Sequence, residues 1–124
     1  MLPRPDPRAS TPVSDQIASA IRSRLASKQL SEGERMPSVR SLAAEILVNP
    51  NTVAKVYREL EREKLLKARP GSGVLVATGA AKRARRTVHA ELKFRLSAWL
   101  EEARDVGLAD ELLQEILVLG SLAT

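Results

Sequence analysis

The sequence contains no cysteine. Disulfides, thiolate metal sites and a cysteine nucleophile are excluded together, and a reducing setting such as the cytoplasm is expected. It contains one histidine, His89, so a metal or acid–base site built on paired imidazoles is unavailable. Its aromatics are Tyr57, Phe94 and Trp99, too few for a platform on which single-stranded bases stack. No apolar run approaches the ~20 residues of a membrane span. The proline- and arginine-bearing N-terminus lacks the apolar stretch of a signal peptide. Gly71-Ser72-Gly73 is not followed by the Lys-Ser/Thr and helix start of a phosphate-cradling loop. An enzyme, a cofactor and a bound metal are therefore not expected.

What is present is a core and an uneven charge. Hydrophobic residues make up 44% of the 124, enough for one compact domain with an appendage. The net charge is +5. Residues 80–95 carry Lys82, Arg83, Arg85, Arg86, Lys93 and Arg95 against Glu91. Residues 96–124 carry Arg104 against Glu101, Glu102, Asp105, Asp110, Glu111 and Glu115. A basic front and an acidic rear suit a polyanion on one side, although ordinary solvated charge would look similar. With single strands disfavoured, duplex DNA is the expected polyanion.

The periodicities predict a mainly α chain with a small β-hairpin. Residues 1–10, with their prolines, read as a flexible arm whose Arg4 and Arg8 can reach phosphate. A first helix follows Thr11 as cap and Pro12 as first helical residue, with Ile17, Ile21 and Leu25 on one face. Gly33 centres a loop that ends in a short extended piece at Arg35-Met36. Ser38 caps a second helix with Val39, Leu42, Ala43 and Ile46 at i, i+3, i+4, i+7. Val48 plugs the turn. Asn49 caps a third helix, with Pro50 at its first position and Val53, Val56, Tyr57 and Leu60 repeating the pattern. This pair matches a helix-turn-helix. KARPGSGVLVA from Lys67 then reads as a hairpin, a wing. Residues 11–78 thus form a winged helix-turn-helix domain.

The opposite face of the third helix shows what a groove reader needs. Duplex DNA offers phosphates and, in the major groove, a donor and acceptor pattern unique to each base pair. An α-helix fits that groove. Asn49, Asn51 and Thr52 place short polar groups at the helix start, and asparagine can pair bidentately with adenine. Lys55, one turn beyond Asn51, reaches guanine acceptors or phosphate. Arg40 sits where the second helix crosses the backbone. Arg69 with Gly71, Ser72 and Gly73 puts a cation on a turn able to approach the sugar-phosphate. Arg58 and Arg62 either join this face or pair with Glu59, Glu61 or Glu63. Asn49 serves first as a cap. Tyr57 lies on the apolar face, with its hydroxyl directed outward to join the contact set.

Residues Ser14 to Val76 resemble the winged-helix domain of GntR-family bacterial transcription regulators. The matching runs are Gly33-Glu34-Arg35-Met36-Pro37-Ser38-Val39-Arg40, Leu42-Ala43, Val48-Asn49-Pro50-Asn51-Thr52-Val53, Tyr57-Arg58-Glu59-Leu60-Glu61 and Arg69-Pro70-Gly71-Ser72-Gly73-Val74. The Asn-Pro-Asn-Thr-Val opening and the short tail resemble the YtrA subfamily, in which a small helical C-terminal segment serves dimerisation. The resemblance implies a dimeric regulator, usually a repressor, on an inverted-repeat operator. Family DNA contacts map onto Arg40, Asn49, Asn51, Thr52 and Gly71 to Gly73. Pro50 and Ala54 stand where members often carry arginine, so those contacts do not transfer. Lys28, Leu47 and Lys64 stand where members habitually carry glycine at helix ends. A side chain there costs on the order of 1 kcal/mol or forces another turn. The helix ends are therefore expected to be redrawn by a residue or two.

Residues 79–124 form the tail. A long helix from Gly79 to Val106 carries a heptad-like seam of Val88, Leu92, Leu96, Trp99, Ala103 and Val106. Gly107 stops it, and Leu108 to Leu119 restarts with Leu112, Leu113, Ile116 and Leu117 apolar. About 45 residues cannot hide that much apolar surface alone. Leu92, Leu96, Trp99, Leu112, Leu113, Ile116 and Leu117 are therefore expected to pair with a twofold mate, the alternative being a fold back onto the winged domain. Lys82, Arg83, Arg85 and Arg86 are expected to add phosphate contacts. A small-molecule effector would have to bind at the dimer interface or between tail and winged domain. The rival function is an architectural or protein-docking winged helix without sequence preference.

Overall fold

The computed structural model describes residues 2–123. Five helices and one hairpin follow in the order α1 Val13–Ala26, α2 Val39–Ile46, α3 Pro50–Arg62, β1 Leu66–Arg69, β2 Gly73–Val76, α4 Ala80–Asp105 and α5 Ala109–Ala123. The chain divides into two compact units, one ending at Val88 and one beginning at His89.

The core of the first unit is built from the expected stripes. Ile17, Ile21 and Leu25 of α1, Leu42 and Ile46 of α2, and Val53, Val56 and Leu60 of α3 are all buried. Each such side chain contributes about 1.5–3 kcal/mol on burial, more than a typical cap. Packing therefore fixes which stripe of α3 stays outside. Arg22 of α1 ties that helix to the end of α3. Its Nε and Nη2 donate to the two carboxylate oxygens of Glu63 at 3.0 and 2.6 Å, and Glu59 lies at 3.8 Å.

The helix starts match their caps in two of three cases. The Ser38 hydroxyl accepts from Ser41 N–H at 3.1 Å, and Asn49 Oδ1 accepts from Asn51 N–H at 2.8 Å. In α1, Pro12 occupies the N-cap and Thr11 supplies no side-chain cap. Proline has no acceptor on its side chain, and Gln16 takes over the local bonding. Its Nε2 donates to the carbonyls of Thr11 and Asp6, and its Oε1 accepts from Asp6 N–H. Leu2 is buried in the core cluster as well. The segment expected as a free arm is thus anchored at two points that no periodicity could announce.

The helix ends differ from expectation. Lys28, Leu47 and Lys64 keep φ of 63°, 56° and 62°, the left-handed conformation glycine would take. The turns are not redrawn. Val48 N–H still reaches the Ala43 carbonyl at 3.0 Å, and Leu65 N–H the Leu60 carbonyl at 2.9 Å. These bonds bring Val48 and Leu65 down onto the core, so tertiary packing holds the strained residue in place.

The wing is wider than a hairpin. β1 and β2 pair antiparallel, with Leu66 opposite Val76, Lys67 opposite Leu75, Ala68 opposite Val74 and Arg69 opposite Gly73. Pro70 and Gly71 make the turn. Gly71 has φ +80°, and Ser72 N–H closes on the Arg69 carbonyl at 3.0 Å, as a type II turn requires. Residues 33–36 lie along the other edge of β2, with Arg35 bridged to Leu75. Met36 N–H donates to the Val74 carbonyl and Val76 N–H to the Glu34 carbonyl, both at 2.8 Å. Met36, Leu66 and Val76 face the core.

α4 begins inside the winged unit. Ala80 and Ala84, one turn apart, are fully buried in its core, where only a small side chain fits. Arg83 between them donates to the carbonyls of Thr78 at 2.7 Å and Lys64 at 3.1 Å. The compact unit therefore runs past the expected boundary at residue 78 and ends within the helix.

In the second unit, Gly107 at φ +76° separates α4 from α5, and Leu108 N–H closes on the Ala103 carbonyl at 2.9 Å. α5 continues beyond the expected Leu119 to Ala123. Ala103 is the one buried side chain among the described residues of this unit. No helix of the described residues is long and apolar enough to cross a membrane.

Candidate nucleic-acid interface

α3 sorts its residues into two stripes. Val53, Val56, Tyr57 and Leu60 point into the core. Asn51, Lys55, Arg58 and Arg62, at i, i+4, i+7 and i+11, are all exposed. Thr52 beside them is half-buried. Asn49 holds the helix start through Oδ1, which leaves its amide nitrogen as the group that can reach a ligand. Arg58 and Arg62 have no ion pair among the described residues, and Arg22 holds Glu63, with Glu59 at 3.8 Å. The external stripe thus carries Asn51 at the helix start, where backbone N–H groups favour phosphate, and three cations along the helix behind it.

Tyr57 does not belong to this face. It is 2% exposed, and its hydroxyl donates to the Pro37 carbonyl at 2.7 Å. The sequence pattern placed the ring in the core correctly but not the hydroxyl, whose partner lies in the loop before α2. Burial, with the Glu45 carboxylate nearby, pushes the phenol well above its ordinary value. The folded state therefore holds the neutral form, and its contribution is complete below about pH 10 and lost as pH rises further. Tyr57→Phe should cost about 1 kcal/mol at pH 8, since the Pro37 carbonyl loses its donor. Urea unfolding at pH 8 and pH 11 checks this; a gap from the unaltered chain that fails to narrow at pH 11 contradicts the assignment.

Around α3, Arg40 on α2 is exposed and has no ion pair among the described residues. Arg69, Gly71 and Gly73 are exposed at the wing tip, with Ser72 half-buried. Of the basic group at the start of α4, Lys82, Arg85 and Arg86 are exposed, whereas Arg83 is committed to backbone carbonyls. The extended reading of that group as four phosphate contacts is corrected to three available cations. Arg35 was legible in sequence as part of an extended piece, but its place beside the wing was not.

In the second unit, α4 and α5 enclose an open apolar groove of about 730 Å³. Leu92, Leu96, Trp99, Leu112, Leu113 and Ile116 line it, with His89 among them. Leu117 lies off the groove and is 71% exposed. Trp99 is 65% and Leu96 58% exposed, so none of the described residues covers this surface.

Comparison with known proteins agrees with this geometry. Residues 13–76 match the family described as bacterial regulatory proteins, gntR family. The chain is 34% identical over 113 residues to the uncharacterized HTH-type transcriptional regulator YhcF of Bacillus subtilis, covering 87% of this chain and 88% of that one. It is 41% identical over 75 residues to the HTH-type transcriptional repressor YtrA of the same organism, covering 60% of this chain and 58% of YtrA. A crystal structure of a transcriptional regulator from Oenococcus oeni superposes with a TM-score of 0.75 at 31% identity, covering 90% and 92% of the two chains. The chain belongs to the GntR family of bacterial transcriptional regulators.

Proposed function

We propose that this regulator is a cytoplasmic repressor that binds an inverted-repeat operator in duplex DNA as a homodimer. The observation that carries the reading is the division of α3 into a buried apolar stripe and an exposed Asn51, Lys55, Arg58, Arg62 stripe. α3 enters the major groove from its N-terminal end. Asn51 and Thr52 read base edges, Lys55 reaches a base or phosphate, and Arg58 follows the backbone. Asn49 holds the helix start and adds a donor. Arg40 and the turn Arg69, Gly71, Ser72 and Gly73 anchor the sugar-phosphate on either side. One half-site read by so few groups gives modest selectivity, so the apolar groove of α4 and α5 brings a second copy. The similarity to a protein named as a repressor supports the direction of regulation.

Selection of bound duplexes from a random pool tests this reading. Asn51→Ala and Lys55→Ala should each relax the preference at defined positions, by about 1–3 kcal/mol where a bidentate pair is lost. Uniform weakening across all duplexes would instead mean that both side chains only hold phosphate. Equal binding of selected and random duplexes by the unaltered chain would favour the architectural alternative.

A further inference from the structure

Side chains of residues directly opposite in a sheet share one face, and that face recurs every second residue. Lys67 is opposite Leu75, and Arg69 is opposite Gly73. Arg35 is bridged to the same Leu75 from the other edge. Arg35, Lys67, Arg69, Gly73 and Leu75 therefore occupy one face of the wing, the reverse of the core face formed by Met36, Leu66 and Val76. Three cations stand on this face, two from β1 and one from the segment before α2. All three are exposed.

Gly73 makes room for one of them. A Cβ at Gly73 would lie 3.5 Å from Arg35 Nε and 3.6 Å from Arg35 Nη2, so the guanidinium lies over this glycine. The Arg35 guanidinium thus lies over Gly73, Arg69 takes the register position opposite it on β1, and Lys67 stands two residues from Arg69 on the same side. Among the described residues none of the three makes an ion pair. The neighbouring carboxylates are placed elsewhere. Glu34 alternates to the other face, and Glu32 accepts from Gly79 N–H at 2.8 Å. Glu45 shares a shallow groove with Arg35 on the α2 side and is the carboxylate placed to compete for it. Like charges that share one sheet face without an ion pair repel each other, and an anion bound on that face relieves the cost.

We propose that Arg35, Lys67 and Arg69 form a phosphate-binding face on the wing, occupied by the phosphodiester backbone of the duplex that α3 reads. The proposal rests on the DNA-binding reading above and adds Arg35 and Lys67 to it. Gly73 has no side chain to hold the Arg35 guanidinium away from the sheet, and planar guanidinium groups grip phosphate oxygens in pairs. The face carries no aromatic ring and no amide, so it holds the duplex without reading sequence.

The test is the salt dependence of binding by the full chain, measured on a selected duplex and on a random duplex. Arg35→Gln should lower the magnitude of the log–log slope by about 0.9, and weaken both duplexes by the same factor. Lys67→Gln, on a separate strand, should do the same, which guards against a folding artefact at either site. Thermal unfolding of both variants should match that of the unaltered chain, since both residues are exposed. An unchanged slope for Arg35→Gln overturns the proposal whatever Lys67→Gln does. A loss confined to the selected duplex overturns it too, because it would mean base reading. Equal binding of the two duplexes by the unaltered chain would sink the operator reading while leaving the slope test of Arg35 standing.

Discussion

Trp99→Asp is expected to turn the proposed dimer into a monomer, and to weaken binding to the proposed two-half-site operator by about 100-fold or more. Trp99 is 65% exposed, on the wall of an apolar groove shared with Leu92, Leu96, Leu112, Leu113 and Ile116. Contiguous apolar surface of that kind marks an association site. A carboxylate at its centre would have to be desolvated on pairing, at a cost of several kcal/mol. Two linked half-site readers gain by effective concentration, so losing the link removes a factor of ~10²–10⁴ without touching α3. Binding to an isolated half-site should be almost unchanged. Ile116→Asp, on the facing helix α5, should behave alike. Sedimentation equilibrium and titrations on one and two half-sites check both effects. An unaltered chain that sediments as a monomer at micromolar concentration would end the dimer proposal, as would a Trp99→Asp variant that remains dimeric.

The second large effect runs in the opposite direction. Replacing Lys28, Leu47 and Lys64 together by glycine should raise stability by about 2 kcal/mol. All three hold left-handed φ between 56° and 63°. A Cβ in that region costs about 1–2 kcal/mol, and glycine returns ~0.5–1 of it by its freedom in the unfolded chain. The net gain is about 0.5–1 kcal/mol per site. All three side chains are exposed, so their removal forfeits little packing. Arg83 bonds the carbonyl of Lys64, not its side chain, and that contact survives. The sites cap three different helices, so the increments should add. For a unit of this size the midpoint of thermal unfolding should rise by roughly 8–16 °C. A midpoint that stays or falls would show that these turns carry no strain.

The two units differ in how much of them was legible in sequence. In α3, burial requires an apolar residue every three to four positions, and Val53, Val56, Tyr57 and Leu60 left one solution. The exposed stripe was then whatever remained, so Asn51, Lys55 and Arg58 could be found without coordinates. The caps at Ser38 and Asn49 were legible for a similar reason, since each is satisfied by N–H groups a few residues away. The Tyr57 hydroxyl was not, because its acceptor is Pro37, twenty residues earlier in the chain. Nor was the departure of Arg83 from the basic group, since Lys64 and Thr78 reach it only after folding.

Local periodicity and capping chemistry in this sequence determined five helices, a hairpin, the apolar stripe of each helix and, through it, the exposed face of α3. Those signals act over one or two helical turns, and short-range sterics and burial suffice to express them. Tertiary structure decided the rest. It held Lys28, Leu47 and Lys64 in a conformation their side chains disfavour, because Val48 and Leu65 gain more in the core than the turns lose. It drew Ala80 and Ala84 into the winged unit and ended that unit within α4. It laid residues 33–36 along β2 and so set Arg35 over Gly73. Each of these depends on backbone or side-chain partners distant along the chain, and no local pattern encodes them.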